Sequence, residues 1–208
     1  MSEPLSELAN LTILDLTNCT QVGNLEPLRK LQNLTILNLT RCKKVSNPEP
    51  LSGLKHLRSL NLTDTATGKI ESLRTLKMLS SLTLDDTQVT DIEPLKELTT
   101  LRELYLSFTP VSSLEPLKDL ENLRVLKASR TKVKSIAPLL KMKSLEELDL
   151  GGDENLTDIE ALMELTSLVY LTIEDTGVSD AAVAKLKDVN TKLVLYDSFR
   201  RNSHKIQD

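Results

Sequence analysis

Residues 79–98 read "LSSLTLDDTQVTDIEPLKEL", and the fold follows from how that stretch divides. In Leu82-Thr83-Leu84 apolar and polar residues alternate, which is the period of a β-strand. From Thr87 onward the apolar residues fall at irregular spacings, at Val89, Ile92 and Leu95, and Pro94 precedes the last of them. Proline fixes φ and withholds a backbone donor, so this half suits a turn or a short 3-10 segment better than a long α-helix. One short strand and one return turn therefore fill a single unit.

The unit recurs along the chain. Aligned on the pattern LxxLxxLxL, repeats start at Leu8, Leu31, Leu54, Leu76, Leu98, Leu120, Met142 and Leu165, at steps of 22 or 23 residues. A partial ninth unit lies in "KLVLYDS", residues 192–198. No unit can bury its own apolar face alone, so neighbours must stack and share stability. Parallel strands about 4.8 Å apart predict a sheet of about nine strands, roughly 40 Å long. The expected architecture is an α/β solenoid over residues 1–198, with a concave parallel sheet and convex turns or short 3-10 segments. A polar tail follows at 199–208.

"LTLDDTQVTDIEPLKEL" (82–98) and "LYLSFTPVSSLEPLKDL" (104–120) resemble leucine-rich repeats of the 22-residue class. That class includes the internalins and the leucine-rich regulator of type-1 protein phosphatase. The resemblance covers about residues 4–198 and implies the horseshoe fold, but a fold does not assign a function. Where such repeats usually carry asparagine, this chain has Cys19, Cys42, Thr65, Thr87, Thr109, Thr131, Asp153 and Thr176. These small polar groups are expected to bond loop backbone with fewer donors than an amide offers.

Both ends depart from the pattern. "TGVSDAAVAKLKDV" (176–189) replaces the proline turn with helix-favouring residues, and Ser179 is placed to cap a short convex helix that helps close that end. At the front, "EPLSELANL" (3–11) repeats "EPLRKLQNL" (26–34) without a cap. An open first strand is a pairing edge, so the expectation is an N-terminal continuation or an edge-strand contact.

Composition narrows the classes. The net charge is −4 with both signs interspersed, so nucleic acid is not the expected ligand. No run of about 18 apolar residues predicts a membrane span. "MSEPLSEL" has neither the basic nor the apolar region of a signal peptide. Two cysteines are too few to staple a fold, which points to a reducing, intracellular home, cytoplasmic or nuclear. Six sequons, at Asn10, Asn18, Asn33, Asn38, Asn61 and Asn155, read as by-products of repeated Asn-Leu-Thr, because glycans on Asn38 and Asn61 would smother the sheet. Cys19 and Cys42 read as small ladder residues rather than half of a metal site. Neither His56 nor His204 stands in a catalytic constellation, and no phosphate-cradling glycine loop occurs. No catalysis, cofactor or metal is expected.

The candidate site comes from residues between the strand leucines, which point onto the concave face. The central column reads Asp15, Asn38, Asn61, Thr83, Tyr105, Lys127, Asp149, Thr172 and Val194. Two residues further on, the column ends in Glu174 and Tyr196. One flank carries Ile13, Ile36, Ser59, Ser81, Glu103, Val125, Glu147, Tyr170 and Lys192. The outer flank carries Asn18, Arg41, Asp64, Asp86, Phe108, Arg130, Gly152, Asp175 and Asp197. A leucine core needs no rings, yet Tyr105, Phe108, Tyr170 and Tyr196 all fall on this face or its rim; only Phe199 lies elsewhere. Aromatic residues and arginine dominate binding hot spots. The predicted partner-binding set is therefore Tyr105, Phe108, Lys127 and Arg130 with Glu103, Val125, Glu147, Asp149, Tyr170, Thr172, Glu174 and Tyr196. Arg130 is expected over Phe108 as a cation–π pair. Ile13 and Ile36 mark where an N-terminal continuation would pack. The function this implies is a non-catalytic scaffold that binds another protein. The alternatives are a regulatory subunit of an enzyme such as a phosphatase or cyclase, or a surface adhesin of internalin type.

Overall fold

The computed structural model describes residues 8–196. Nine short strands form one parallel sheet in strict chain order: β1 Ile13–Asp15, β2 Ile36–Asn38, β3 Ser59–Asn61, β4 Ser81–Thr83, β5 Glu103–Tyr105, β6 Val125–Lys127, β7 Glu147–Asp149, β8 Tyr170–Thr172 and β9 Val194–Leu195. Register is held by identical positions: Leu60, Leu82, Leu104, Leu126 and Leu148 stand opposite one another across successive strands. Each central leucine is fully buried, while the residues either side of it in β3 to β7 are half-buried on the other face. The period of two thus sorts side chains into a core row and two surface rows.

The return halves of the coils are 3-10 turns, at Glu26–Lys30, Glu49–Gly53, Glu71–Thr75, Glu93–Leu95, Glu115–Leu117, Ala137–Lys141 and Glu160–Glu164. In five of them proline in the first turn carries the pre-set φ and lacks an N–H that has no partner there anyway. In six of the seven, an acceptor two residues before the start closes the turn: the side chains of Asn24, Asn47, Asp91, Ser113, Ser135 and Asp158 accept from the N–H of Glu26, Glu49, Glu93, Glu115, Ala137 and Glu160. In the last full coil the turn becomes helix α1, Asp180–Val189. Its Ser179 hydroxyl accepts from the Ala182 N–H at 3.3 Å, and its Leu186 is buried in the end of the core.

The ladder residues that replace asparagine work by a different bond. The hydroxyls of Thr65, Thr87, Thr109 and Thr176 donate to the carbonyl three residues back in their own coil, at 2.6–2.8 Å. Cys42 donates across the coil boundary to the Leu16 carbonyl, and both cysteines are free thiols. Among the described residues no buried side-chain polar atom lacks a partner.

The ninth unit corrects the sequence reading. Val194 stands opposite Tyr170 and Leu195 opposite Leu171, so Val194 belongs to the flank row and Tyr196 follows in the row of Thr172. Lys192, expected in that flank row, lies in the turn before the strand. The step from β8 to β9 is 24 residues because α1 takes up more chain than a 3-10 turn. Asp197 and Phe199, like the tail at 199–208, lie outside the described residues.

Candidate functional site

Each of strands β1 to β8 is followed by an outward corner held by one left-handed residue. Asn18, Arg41, Asp64, Asp86, Phe108, Arg130 and Asp175 all have φ between 52° and 62°, and Gly152 has φ 79°. The corner is imposed by the ladder: the N–H groups of Asp86, Phe108 and Arg130 donate to the carbonyls of Ser107, Ser129 and Gly151 in the next coil. Asparagine, aspartate and glycine tolerate this conformation, whereas other side chains meet a penalty of roughly 1–2 kcal/mol. Asn18, Asp64, Asp86, Gly152 and Asp175 obey that rule; Arg41, Phe108 and Arg130 do not. The sequence reading found the column but not its left-handed geometry, although its Asn, Asp and Gly content was the available signal.

Phe108 is therefore placed against backbone preference and left half exposed, at 51%. The Arg130 guanidinium carbon lies 5.4 Å from the centre of its ring. Gly152, next in the column, leaves room for that arrangement, since a methyl group there would come within 2.6 Å of Arg130 Cγ. Phe108, Arg130 and Gly152 form one packed run along the rim.

One row inward, Tyr105 and Lys127 are paired neighbours on β5 and β6. The Lys127 ammonium sits 5.9 Å from the Tyr105 ring centre and 2.8 Å from a carboxylate oxygen of Glu147. Burial, then Glu103, Glu147 and Asp85, push the Tyr105 hydroxyl pKa up. Val125 stands between Glu103 and Glu147 in the flank row. Asp149 accepts from the Gly151 N–H. Asp85, whose carboxylate accepts from the Ser107 N–H at 2.7 Å, is raised to about 6 by burial, with Asp86 and Asp149 adding repulsion.

A second aromatic pair closes the C-terminal end. Tyr170 and Tyr196 pack with ring centres 5.2 Å apart at 43°, and each is more than a third exposed. Beside them Val194 is exposed and Glu174 half-buried. Thr172 is a correction: it is only 5% exposed, in the row between Asp149 and Tyr196, and offers no contact area. Three strand steps separate Tyr105 from Tyr170, about 14 Å by ladder spacing, so the rings form two clusters on one face rather than one continuous patch. At the opposite end Ile13 and Ile36 are neighbours on β1 and β2, 57% and 40% exposed.

Among the described residues there is no group of three or more His, Cys, Asp and Glu able to hold a metal ion, and no helix long and apolar enough to cross a membrane.

A family model for leucine-rich repeats, in two copies, matches residues 121–163. No curated protein matches the chain. Among solved structures, internalin C2 of Listeria monocytogenes is 27% identical with a TM-score of 0.85, the match covering 92% of this chain and 83% of that one. An internalin (InlF) of the same organism is 26% identical with a TM-score of 0.83, over 95% of this chain but 56% of its own. A leucine-rich-repeat protein of Leptospira interrogans and a plant peptide hormone receptor share the fold at 24% and 18% identity, with TM-scores of 0.83 and 0.73. That receptor, RGFR1, is in complex with RGF2. The chain is thus a leucine-rich-repeat protein that resembles the Listeria internalins, built on a fold that is typically a protein-binding module and usually non-catalytic.

Proposed function

From this leucine-rich-repeat solenoid we propose a non-catalytic scaffold that binds a partner protein on its concave face, centred on the fifth and sixth coils. The observation that carries the reading is Phe108. It is a half-exposed ring at a left-handed corner where aspartate or glycine would fold better, and residues held in disfavoured backbone conformations cluster at functional sites. Tyr105 lies inward of it in the same coil. Both rings are flanked by cations that hold them in place, and rigid aromatic side chains bury area at low entropic cost. The plant receptor with the same fold, described in complex with RGF2, supports a binding role of this general kind.

The test is affinity capture with wild type beside Tyr105→Ala and Phe108→Ala, followed by titration of the captured protein. Loss of about 2 kcal/mol or more in either variant is expected of a hot spot. Unchanged affinity in both sinks the placement.

We place the protein inside the cell. Asn38 and Asn61 lie on strands β2 and β3 of the concave sheet, where glycans would cover the proposed binding face. Fractionation of cells expressing the natural gene decides this; glycosylated protein in the medium would overturn it.

A further inference from the structure

The rim beside Phe108 has two unequal sides. On the sixth coil the ring meets Arg130. On the fourth coil it lines an open cleft with Asp64, Asp86 and Gln88, closed at the far wall by Lys43. Asp86 is exposed, and among the described residues its carboxylate makes no hydrogen bond or ion pair. Asp64 meets only Lys43, at 3.5 Å, through side chains that are 38% and 66% exposed. Such exposed pairs are weak and readily exchanged.

Lys43 apart, the surface beside the cleft is predominantly acidic. The concave face and rim of coils four to eight carry seven carboxylates against two cations, Lys127 and Arg130. Both cations are already engaged, Lys127 by Glu147 and Tyr105 and Arg130 by Phe108. Complementarity across an interface suppresses like-charged partners and speeds the encounter of opposite ones.

We infer that this cleft receives an arginine side chain from a basic segment of the partner, its guanidinium stacked on the Phe108 ring and paired with Asp86. The contact repeats on one side of the ring what Arg130 makes on the other. Arginine fits better than lysine because a planar fork can stack and bond a carboxylate together. The inference rests on the concave face being the partner surface and adds the chemistry that selects the partner.

The test uses the full chain and a random twelve-residue peptide library displayed on phage. Selection on wild type is expected to enrich arginine at a fixed position, and binding of the selected peptides should weaken as salt rises. Asp86→Asn is expected to weaken those peptides about tenfold, the scale of one lost close charge pair. Asparagine tolerates the left-handed corner, so that variant should fold, which far-UV circular dichroism checks. Peptides that depend on Phe108 but show no basic preference would overturn the inference and leave the partner surface standing. Selected peptides indifferent to both Tyr105→Ala and Phe108→Ala would overturn both. Failure to enrich any peptide would overturn the inference alone. A dimer by sedimentation that Phe108→Ala dissolves would also overturn it, by making a second copy the occupant.

Discussion

The Arg130 guanidinium carbon lies 5.4 Å from the centre of the Phe108 ring, and both residues sit at positive φ, at 53° and 59°. Two residues unsuited to the same corner support each other. The cation–π contact is worth about 0.5–1 kcal/mol at an exposed site, which offsets part of a backbone penalty of roughly 1–2 kcal/mol.

Phe108→Asn removes both effects together. The relief of backbone strain and the lost contact nearly cancel, so the melting temperature is expected within about 3 °C of wild type. Leu104→Ala, at a fully buried position in the same strand, is expected to cost about 2–5 kcal/mol. A Phe108→Asn loss as large as that of Leu104→Ala would show that the ring is structural.

Gly152→Ala tests the other neighbour of Arg130. The added carbon lies within 2.6 Å of Arg130 Cγ, and alanine at φ 79° is itself strained. A loss of about 1–2 kcal/mol is expected. Because the clash is with a movable side chain, Arg130→Ala should recover part of that loss in the double variant, and thermal melts of the four proteins measure the coupling. Strict additivity would mean that the two residues do not touch.

Asp85 gives stability a pH dependence. Its folded pKa is about 6 against an ordinary 3.8, raised chiefly by burial. The native chain therefore holds this proton more tightly than the unfolded chain. The residue's stabilising contribution is complete below pH 3.8 and is lost as pH rises through about 6. Asp85→Asn keeps an oxygen for the Ser107 N–H and removes the charge. Urea unfolding should find the variant more stable than wild type at pH 7.5 by on the order of 1 kcal/mol after solvent screening, and no more stable at pH 3.5. An equal difference at both pH values would remove the titration of Asp85 as its cause.

Ser179→Ala removes the only side-chain cap bond that α1 shows, the acceptor for the Ala182 N–H. About 1 kcal/mol is expected to be lost. Coils contact mainly their neighbours, so amide exchange should quicken around Leu186 and β9 and leave β1 to β5 unchanged. Uniform loosening of the sheet would show cooperativity longer than one coil.

The repeat was legible because a solenoid asks the same thing of every unit. Leu79, Leu82 and Leu84 predict Leu101, Leu104 and Leu106 one unit on, and all six are fully buried. The pairing of Arg130 with Phe108 was legible for the same reason, since one repeat step sets neighbours side by side. Legibility failed where the step changed. In the ninth unit Leu193-Val194-Leu195 looks like a strand leucine pair, but α1 lengthens the return and shifts the pairing by two residues. It failed again at Thr172, whose burial depends on neighbouring side chains rather than on its place in the pattern.

By itself the sequence determined the coil, the rows of side chains and the face on which each row lies, because strand period and repeat length are local, one-dimensional quantities. The tertiary structure decided three other things: that the rim column is left-handed, that Lys127 is engaged by Glu147 and Tyr105, and that the tyrosines divide into two clusters. Each depends on backbone or side-chain contacts between coils, and no single unit contains both partners.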